Sequence, residues 1–307
     1  MWFKQIQLFQ LADALRFSVE DVQAKLELLT FNPCLPSMSH SIGWVSPVEE
    51  EDISLIQVMS GNYMICLQIE EKILPAIVIR QEVVKKIKQI ETVENRKVSQ
   101  KEKLSLKDEL IMTLLPRAFS KITRVYAYID TKNHWLVLGT TNKKHTEQFL
   151  SLFKKSISQN IHAFQLKKLS TVMTYWVTQK EPSQLFSIEK AGVLQDPKQQ
   201  NRIIRCQQQD LFANGIQTLI KDGCEVKQLA IAWQDRMDFV LADDFSLHSI
   251  KFQDQIIMQA KEMEAETKEQ RFKADFFIMG ETLNALFKDL LSLLMEPQQK
   301  IEQNTIA

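Results

Sequence analysis

The sequence is poor in glycine, and this scarcity removes the usual backbone sites for nucleotide phosphates. It has seven glycines in 307 residues. It contains neither GxGxxG after a strand nor GxxxxGK followed by Ser or Thr, the loops whose backbone amides hold dinucleotides and triphosphates. A classical nucleotide-driven motor or dehydrogenase is therefore excluded. The protease signature HExxH and the hydrolase signature GxSxG are missing as well.

Cysteine and histidine are few and are not spaced as metal ligands. No CxxC pair occurs among the four cysteines, which are Cys34, Cys66, Cys206 and Cys224. In a chain without a recognisable signal peptide, we expect them to be reduced thiols in the core. The five histidines also lack ligand spacing. We predict no metal and no other cofactor.

Long apolar runs are absent too. No stretch approaches the roughly 20 apolar residues that span a bilayer. The first residues, "MWFKQIQLFQ", alternate like a strand and lack the three regions of a secretion signal. We expect a soluble cytoplasmic protein without membrane contact. With 45% hydrophobic residues in 307, the chain should form about two domains.

The charges balance over the chain but not locally. The sequence has 38 basic and 38 acidic residues, yet residues 80–110 contain nine basic against six acidic ones. Between Lys72 and Arg124 the basic residues number thirteen, and the acids are the same six. Recognition responds to where charges lie rather than to their sum. The segment therefore indicates an anionic partner.

Apolar periodicity in the first half predicts an α+β fold. Ser18 is expected to cap a helix to Leu29, with Asp21 completing a capping box. "YMICLQI" and "AIVI" are predicted as buried strands, and two further strands form a hairpin before the helix "TEQFLSLFKKSI".

The basic segment predicts a helical hairpin. On a helical wheel Val83, Ile87 and Ile90 share one side, and the opposite side carries Lys85, Lys88, Gln89 and Arg96, with Lys86 on the flank. A second helix is expected from Ser105, capped through Asp108, to Leu115 before Pro116. Because the glutamates lie near the apolar side, we expect the cationic stripe to be uncompensated at i+4 spacing.

The second half shows a similar order of patterns. Polar turns separate strands between residues 225 and 252, a charged helical stretch with Glu262, Glu264, Glu266 and Glu269 follows, and "ADFFIM" is predicted as a strand before a leucine-rich helix. This order suggests an internal duplication, or a coincidence between two α+β units.

Two functions are compatible with these residues. A basic surface attracts phosphates without regard to sequence, and no helix-turn-helix, zinc finger or exposed aromatic platform indicates base reading. The first hypothesis is therefore a nonspecific nucleic-acid-binding protein without catalytic activity. The alternative is a metal-dependent nuclease, in which Glu70 and Lys72 supply a Glu-x-Lys pair and Asp52 an upstream ligand.

Several strings resemble the RdgC family of bacterial recombination-associated proteins. They are "EEKILP" (70–75), "SLKDEL" (105–110), "LLPRAFS" (114–120), "YIDT" (128–131), "QDL" (209–211), "LAIAWQDRMDFVLADDFSLHSIKF" (229–252) and "QRFKADF" (270–276). "WFK" at 2–4 and "FNPC…IGWVSP" at 31–47 match as well. The resemblance covers essentially the whole chain, with the motifs in order.

The resemblance implies a homodimer that closes into a ring around double-stranded DNA and limits the growth of RecA filaments and strand exchange. It also implies a nucleoid-associated location. The expected parts are a central α+β domain (1–75 and 118–165), an inserted helical tip (76–117) and an α+β base (166–307). Ring closure would need tip-to-tip and base-to-base contacts.

The candidate DNA-binding residues combine the basic segment with the matching strings. They are Lys72, Arg80, Lys85, Lys86, Lys88, Arg96, Lys97, Arg117, Phe119, Arg205 and Gln209. Phe119 follows Pro116, so it is expected either to be exposed or to pack the hairpin onto the sheet. Gln208 stands where the family often has lysine, and Arg205 could supply the missing charge.

Overall fold

The computed structural model describes residues 1–12, 18–48, 54–164, 166, 168–179 and 183–305, and their side chains as far as residue 294. Within these residues the chain forms two antiparallel sheets and eight α-helices, which confirms the α+β class. The helices are α1 (Val19–Glu27), α2 (Ala76–Glu94), α3 (Gln100–Leu114), α4 (Lys143–Ile157), α5 (Leu169–Gln179), α6 (Asn214–Lys221), α7 (Asp254–Glu262) and α8 (Lys268–Thr305).

The larger sheet has seven strands, β1 (Gln7–Leu11), β2 (His40–Val45), β3 (Ile56–Met59), β4 (Asn62–Lys72), β5 (Ser120–Asp130), β6 (Trp135–Leu138) and β7 (Ile161–Ala163). Their spatial order is β2-β4-β5-β6-β1-β7, with β3 also beside β4. The smaller sheet contains β8 (Phe186–Gln195), β9 (Ile203–Gln207), β10 (Glu225–Trp233), β11 (Met237–Ala242) and β12 (Leu247–Phe252). Its order is β12-β11-β10-β8-β9, so β9 is an edge strand.

The first core lies between one face of the larger sheet and helices α1 and α4. α1 begins as predicted, because the Ser18 hydroxyl accepts from the Asp21 amide and the Asp21 carboxylate accepts from the Ser18 amide. Trp44 packs edge-on against Phe149 at 5.3 Å between ring centroids. The Trp44 Nε1 donates to the Ser156 hydroxyl at 2.8 Å, so the buried indole has a partner.

The second core joins the opposite face of the larger sheet to the smaller sheet, α5 and α8. Tyr128 donates from its hydroxyl to Asn284 Oδ1 at 2.9 Å, and burial raises the pKa of this phenol well above its ordinary value. The two sheets also touch directly, since Ile6 and Leu247 exchange backbone hydrogen bonds of 2.8 and 2.9 Å. The predicted central and base domains thus share this core, and their boundaries stay a prediction.

Two predicted strands are helical instead. The "AIVI" run, Ala76–Ile79, is the first turn of α2, and Ile77 is 66% exposed rather than buried. β4 has no free edge for another strand, because β5 pairs with one edge along its whole length and β2 and β3 pair with the other. "ADFFIM", 274–279, lies inside α8. Short apolar runs fit either structure, and the helical spacing of Phe276, Met279 and Leu283 buries one face. The second half therefore lacks the strand on which the duplication partly rested.

Among the described residues, no helix has both the length and the apolarity that crossing a bilayer requires.

Candidate nucleic-acid interface

The helical hairpin leaves the body from two paired strand ends. β4 and β5 pair over eleven positions, from Asn62↔Asp130 to Lys72↔Ser120. Just beyond the last pair, the Ile73 amide donates to the Phe119 carbonyl at 2.7 Å. α2 and α3 lie between these adjacent ends, so the basic segment projects from one place on the larger sheet.

The hairpin has little interior of its own. Of the residues described from 76 to 115, the buried apolar ones are Val98, Leu110 and Leu115, and none of them belongs to either core of the body. Val83, Ile87 and Ile90 are half-buried, whereas Lys85, Lys88 and Gln89 are exposed, as the helical wheel predicted. The narrow apolar seam leaves most of both helices facing solvent.

The second helix of the hairpin begins earlier than predicted. α3 starts at Gln100, and its cap is Ser99 rather than Ser105. The Ser99 hydroxyl accepts from the Glu102 amide at 3.3 Å, and the Glu102 carboxylate accepts from the Ser99 amide at 2.8 Å. The prediction was wrong because the segment contains two capping-box signatures, and the first one, with glutamate, is the one used.

Arg96 connects the end of α2 to the start of α3. Its Nε donates to Glu94 at 2.6 Å, and its two terminal nitrogens donate to Glu102 at 2.7 and 3.0 Å. Arg96, and after it Ser99, lowers the pKa of Glu102 to about 2, and Glu102 with Glu94 raises the pKa of Arg96 above its ordinary value. The predicted uncompensated stripe is therefore wrong at Arg96. The i+4 rule considers residues of one helix, so it does not detect this ion pair between the end of α2 and the start of α3.

Lys85 is also paired, with Glu82 at 2.5 Å and i+3 spacing. The rest of the stripe keeps its charge available. Within the part of the chain that the structure describes, no ion pair engages the exposed cations Arg80, Lys88, Lys97, Lys101 and Lys107. Lys86 is half-buried on the flank, as expected. The hairpin thus presents a cationic surface that is smaller than predicted but still substantial.

The root of the hairpin carries three further predicted residues. Lys72 is half-buried at the end of β4, and Arg117 is exposed at the end of a short 3₁₀ turn, Leu115–Arg117. Phe119 is 84% exposed. That exposure decides between the two alternatives for Phe119, since a residue packing the hairpin onto the sheet would be covered.

The remaining two candidates lie on the smaller sheet. Arg205 is exposed on the edge strand β9 and pairs with Val193 of β8. Gln208 adopts a left-handed φ of 53°, and the Gln209 amide donates to the Lys190 carbonyl at 3.0 Å. These residues belong to the smaller sheet, whereas the other candidates lie on the hairpin or at its root.

The Glu-x-Lys pair of the nuclease alternative is engaged in local structure. Glu70 accepts from the Cys34 amide at 2.8 Å, and this bond, followed by one from Ser120, lowers the pKa of the Glu70 carboxyl. Asp52 lies outside the described residues. Among those described, no three histidine, cysteine, aspartate or glutamate side chains are grouped to hold a metal ion.

Sequence reasoning missed the residues that organise the hairpin turn. Glu102 binds both Ser99 and Arg96, and Glu91 accepts from the Val98 amide at 3.2 Å. The SQKE sequence at 99–102 was the available signal, because a serine followed three residues later by glutamate marks a helix start.

The fold and this surface define a class: an α+β protein that carries a basic helical hairpin on its larger sheet. The chain belongs to the RdgC family, since a family model described as "Putative exonuclease, RdgC" matches residues 1–296. Proteins named "Recombination-associated protein RdgC" from Yersinia enterocolitica, Yersinia pestis and Yersinia pseudotuberculosis are each 36% identical over 296 residues. Each match covers 96% of this chain and 98% of the relative.

Proposed function

We propose that this protein acts in homologous recombination by binding double-stranded DNA without sequence preference, as a ring-shaped homodimer that encircles the duplex. The recombination role follows the name of its relatives, which match almost the whole chain. The observation that carries DNA binding is the set of exposed, unpaired cations on the hairpin, Arg80, Lys88, Lys97, Lys101 and Lys107.

These cations suit backbone contacts rather than base reading. Lysine and arginine bind phosphates by releasing condensed counterions, which gives affinity that depends on salt and not on sequence. Lys85 and Arg96 are assigned a lesser part in this binding, because acidic neighbours already hold them. Arg96 instead keeps the hairpin turn in one shape.

Ring closure is supported by apolar side chains that this chain alone leaves uncovered. On and beside the hairpin they include Ile77, Val84, Leu104, Met112, Phe119 and Ile122. Exposed apolar groups concentrated on one projection are typical of protein contact sites. We assign this surface to the tip-to-tip contact, and the edge of the smaller sheet, with Arg205 and Gln209, to the DNA-facing side of the base.

A ring on duplex DNA would limit RecA by occupation. RecA filaments grow along DNA and exchange the bound strand with a homologous duplex, and a protein that surrounds the duplex would obstruct both steps without catalysis. The expected result is slower strand exchange when this protein is bound first. Variants that lose DNA binding should restore RecA activity in the same assay.

The test of DNA binding is the salt dependence of affinity for duplexes of several sequences. Replacing Lys88 and Lys97 by alanine should weaken binding to all sequences alike. It should also reduce the magnitude of the slope of log affinity against log salt by about 1.8, which is about 0.9 per lost phosphate contact. Lys154→Ala with Lys155→Ala removes the same charge from the far end of α4 and should leave the slope unchanged. Equal slopes for the hairpin variant and the parent would contradict the proposal.

The test of encirclement compares closed circular duplex with short linear duplex as salt rises, with the mass of the assembly measured in parallel. A closed ring cannot slide off a circle, so complexes on circles should outlast those on linear DNA, and the mass should be that of a dimer. Equal lifetimes, or a monomer on both, would reject the ring.

A nuclease is the second function to test, because the description of the family model contains the word exonuclease. Glu70 and Lys72 are the residues that would serve it, and both lie near the end of β4. Linear and plasmid DNA incubated with Mg²⁺ or Mn²⁺ should stay intact if binding alone is the function. Degradation that Glu70→Gln abolishes would establish the nuclease.

A further inference from the structure

A polar cleft lies where the larger sheet ends beside α4. Its volume is about 390 Å³, within the range of about 300–1,000 Å³ usual for small-molecule sites. The residues that line it are Ser39, His40, Glu71, Lys72, Lys144 and Gln148. It opens next to the root of the hairpin, since Lys72 belongs to the last strand pair before α2.

A row of charged side chains lies at the sheet side of the cleft, and two of its members, His40 and Glu71, line the cleft. His40, Glu71 and Lys121 are cross-strand neighbours on β2, β4 and β5, one step beyond the buried Ile69 layer. They share a face because side chains of paired residues point to the same side of a sheet. The apolar face under α4 thus ends in ionisable groups rather than in more core.

The helix side of the cleft is the beginning of α4. Asn142 caps the helix by accepting from the His145 amide at 3.2 Å, and the first turn carries Lys143 and Lys144 but no acidic residue. The amino end of a helix is already positive, so lysines there are unfavourable unless an anion binds. Glu71 contacts Lys144, and it is the single acid among the lining residues named above. Two lysines against one acid leave the lining positive.

One group in the cleft lacks a partner. The Gln148 Oε1 is buried and, among the described residues, accepts no hydrogen bond. A buried acceptor without a donor is unfavourable. The oxygen therefore calls for a ligand that brings a donor group to Gln148 as well as a phosphate to the lysines. A nucleotide offers both parts, acceptor oxygens on the phosphate and N–H or O–H donors on the base and sugar.

We propose that this cleft binds a single nucleotide unit that carries a terminal phosphate. The phosphate lies against Lys72, Lys144 and the amino end of α4, and a donor of the base or sugar meets Gln148. The unit comes from a free nucleotide or from the phosphorylated end of a DNA strand. The second source rests on the proposed DNA binding, whereas the first does not.

The direct test titrates the full-length protein with thymidine 5′-monophosphate, thymidine and inorganic phosphate by calorimetry. The monophosphate should bind more tightly than either fragment. Lys144→Met should weaken it at least about tenfold, the loss expected for one hydrogen bond to a charged group. Lys154→Met, at the other end of the same helix, is the matched control and should bind like the parent. Gln148→Leu should weaken the monophosphate while leaving inorganic phosphate unchanged.

Binding measurements with DNA then distinguish a free nucleotide from the phosphorylated end of a DNA strand as the source of this unit. If the cleft takes strand ends, short duplex with a 5′-phosphate binds more tightly than the same duplex with a 5′-hydroxyl, and Lys144→Met removes the difference. If it takes free nucleotides alone, the two duplexes bind equally while the monophosphate still binds. Closed circular DNA reports on the proposed function separately, and Lys144→Met should bind it as the parent does. A folded protein that holds circles but neither the monophosphate nor a phosphorylated end would overturn the proposal.

Discussion

The hairpin and the body of this protein are stabilised in different ways. In the body, β4 has an almost continuous buried run, and α8 packs Leu283, Leu286 and Phe287 into a core shared by both sheets. In the hairpin, α2 has no buried residue, and the turn is held by Arg96, Glu102 and Ser99. Apolar burial specifies the body, whereas polar contacts at the turn specify the hairpin.

Because of this difference, the residues that stabilise the protein and those available to a partner lie largely in different regions. The core residues of the body are covered and cannot meet a partner, while most of the hairpin surface is available for contact. Regions with few buried apolar contacts open at a lower free energy than the global unfolding. We therefore expect the hairpin to unfold locally while the body stays intact.

The largest expected effect is in the shared core. Leu286 is completely buried on α8. Leu286→Ala should lower the free energy of unfolding by about 2–5 kcal/mol through lost transfer energy and the cavity left behind. Urea unfolding followed by circular dichroism measures this. A loss below about 1 kcal/mol would show that the core can collapse around the gap, unlike a well-packed interior.

A matched change in the hairpin should act locally. Leu110 is 6% exposed, so Leu110→Ala also deletes a buried side chain. Because Leu110 belongs to neither core of the body, the amides of α2 and α3 should exchange faster while those of β4 and α8 keep their protection. Hydrogen exchange with mass spectrometry reads both regions at once. Faster exchange throughout would mean that hairpin and body unfold together.

Acid should distinguish the two regions further. The folded-state pKa of Glu102 is lowered from 4.5 to about 2. The stabilisation from Glu102 is therefore fully present above pH 4.5 and is lost as the pH falls through about 2. The helicity of α3 should decline in that window, and the amide NMR signals of residues 99–114 measure this decline. Glu102→Gln should remove the pH dependence, and a decline that persists in this variant would point to another carboxylate.

The smallest effect on stability is expected at Phe119. Because its ring is 84% exposed, Phe119→Ala should change the free energy of unfolding by less than about 0.5 kcal/mol. If the Phe119 side chain serves the tip-to-tip contact, the variant should nevertheless show a smaller fraction of dimer by mass measurement and a lower affinity for DNA. Phe119→Leu, which keeps an apolar side chain, is the control. An unchanged dimer with unchanged affinity would leave Phe119 without a part in either contact.

Much of the fold was predictable because it depends on local patterns. Ser18 and Asp21 formed the expected capping box, and the wheel placed Val83 and Ile87 inward and Lys88 outward. The errors share a physical cause. "AIVI" and "ADFFIM" are short apolar runs, and only the neighbouring chain decides whether such a run is paired as strand or continued as helix.

The site was predictable in composition but not in pairing. The concentration of lysine and arginine in residues 80–110 was visible in the sequence. The position of Phe119 after Pro116 left two alternatives open, and the structure shows the ring exposed. The Arg96 contacts with Glu94 and Glu102 were not visible in the sequence, because they depend on the shape of the turn. The cleft beside α4 was hidden for the same reason, since His40, Lys72 and Lys144 are distant in the chain and meet only in the folded sheet.

Because Lys72 pairs with Ser120, the hairpin begins and ends at one residue pair and could be replaced as a unit. The chain leaves and returns at the same residue pair of the β4–β5 ladder, so an insertion there leaves the register of the ten pairs below it unchanged. Helices of other lengths could be grafted at this point without redesigning the body. In a ring closed through such projections, the length of these helices would set the diameter of the opening.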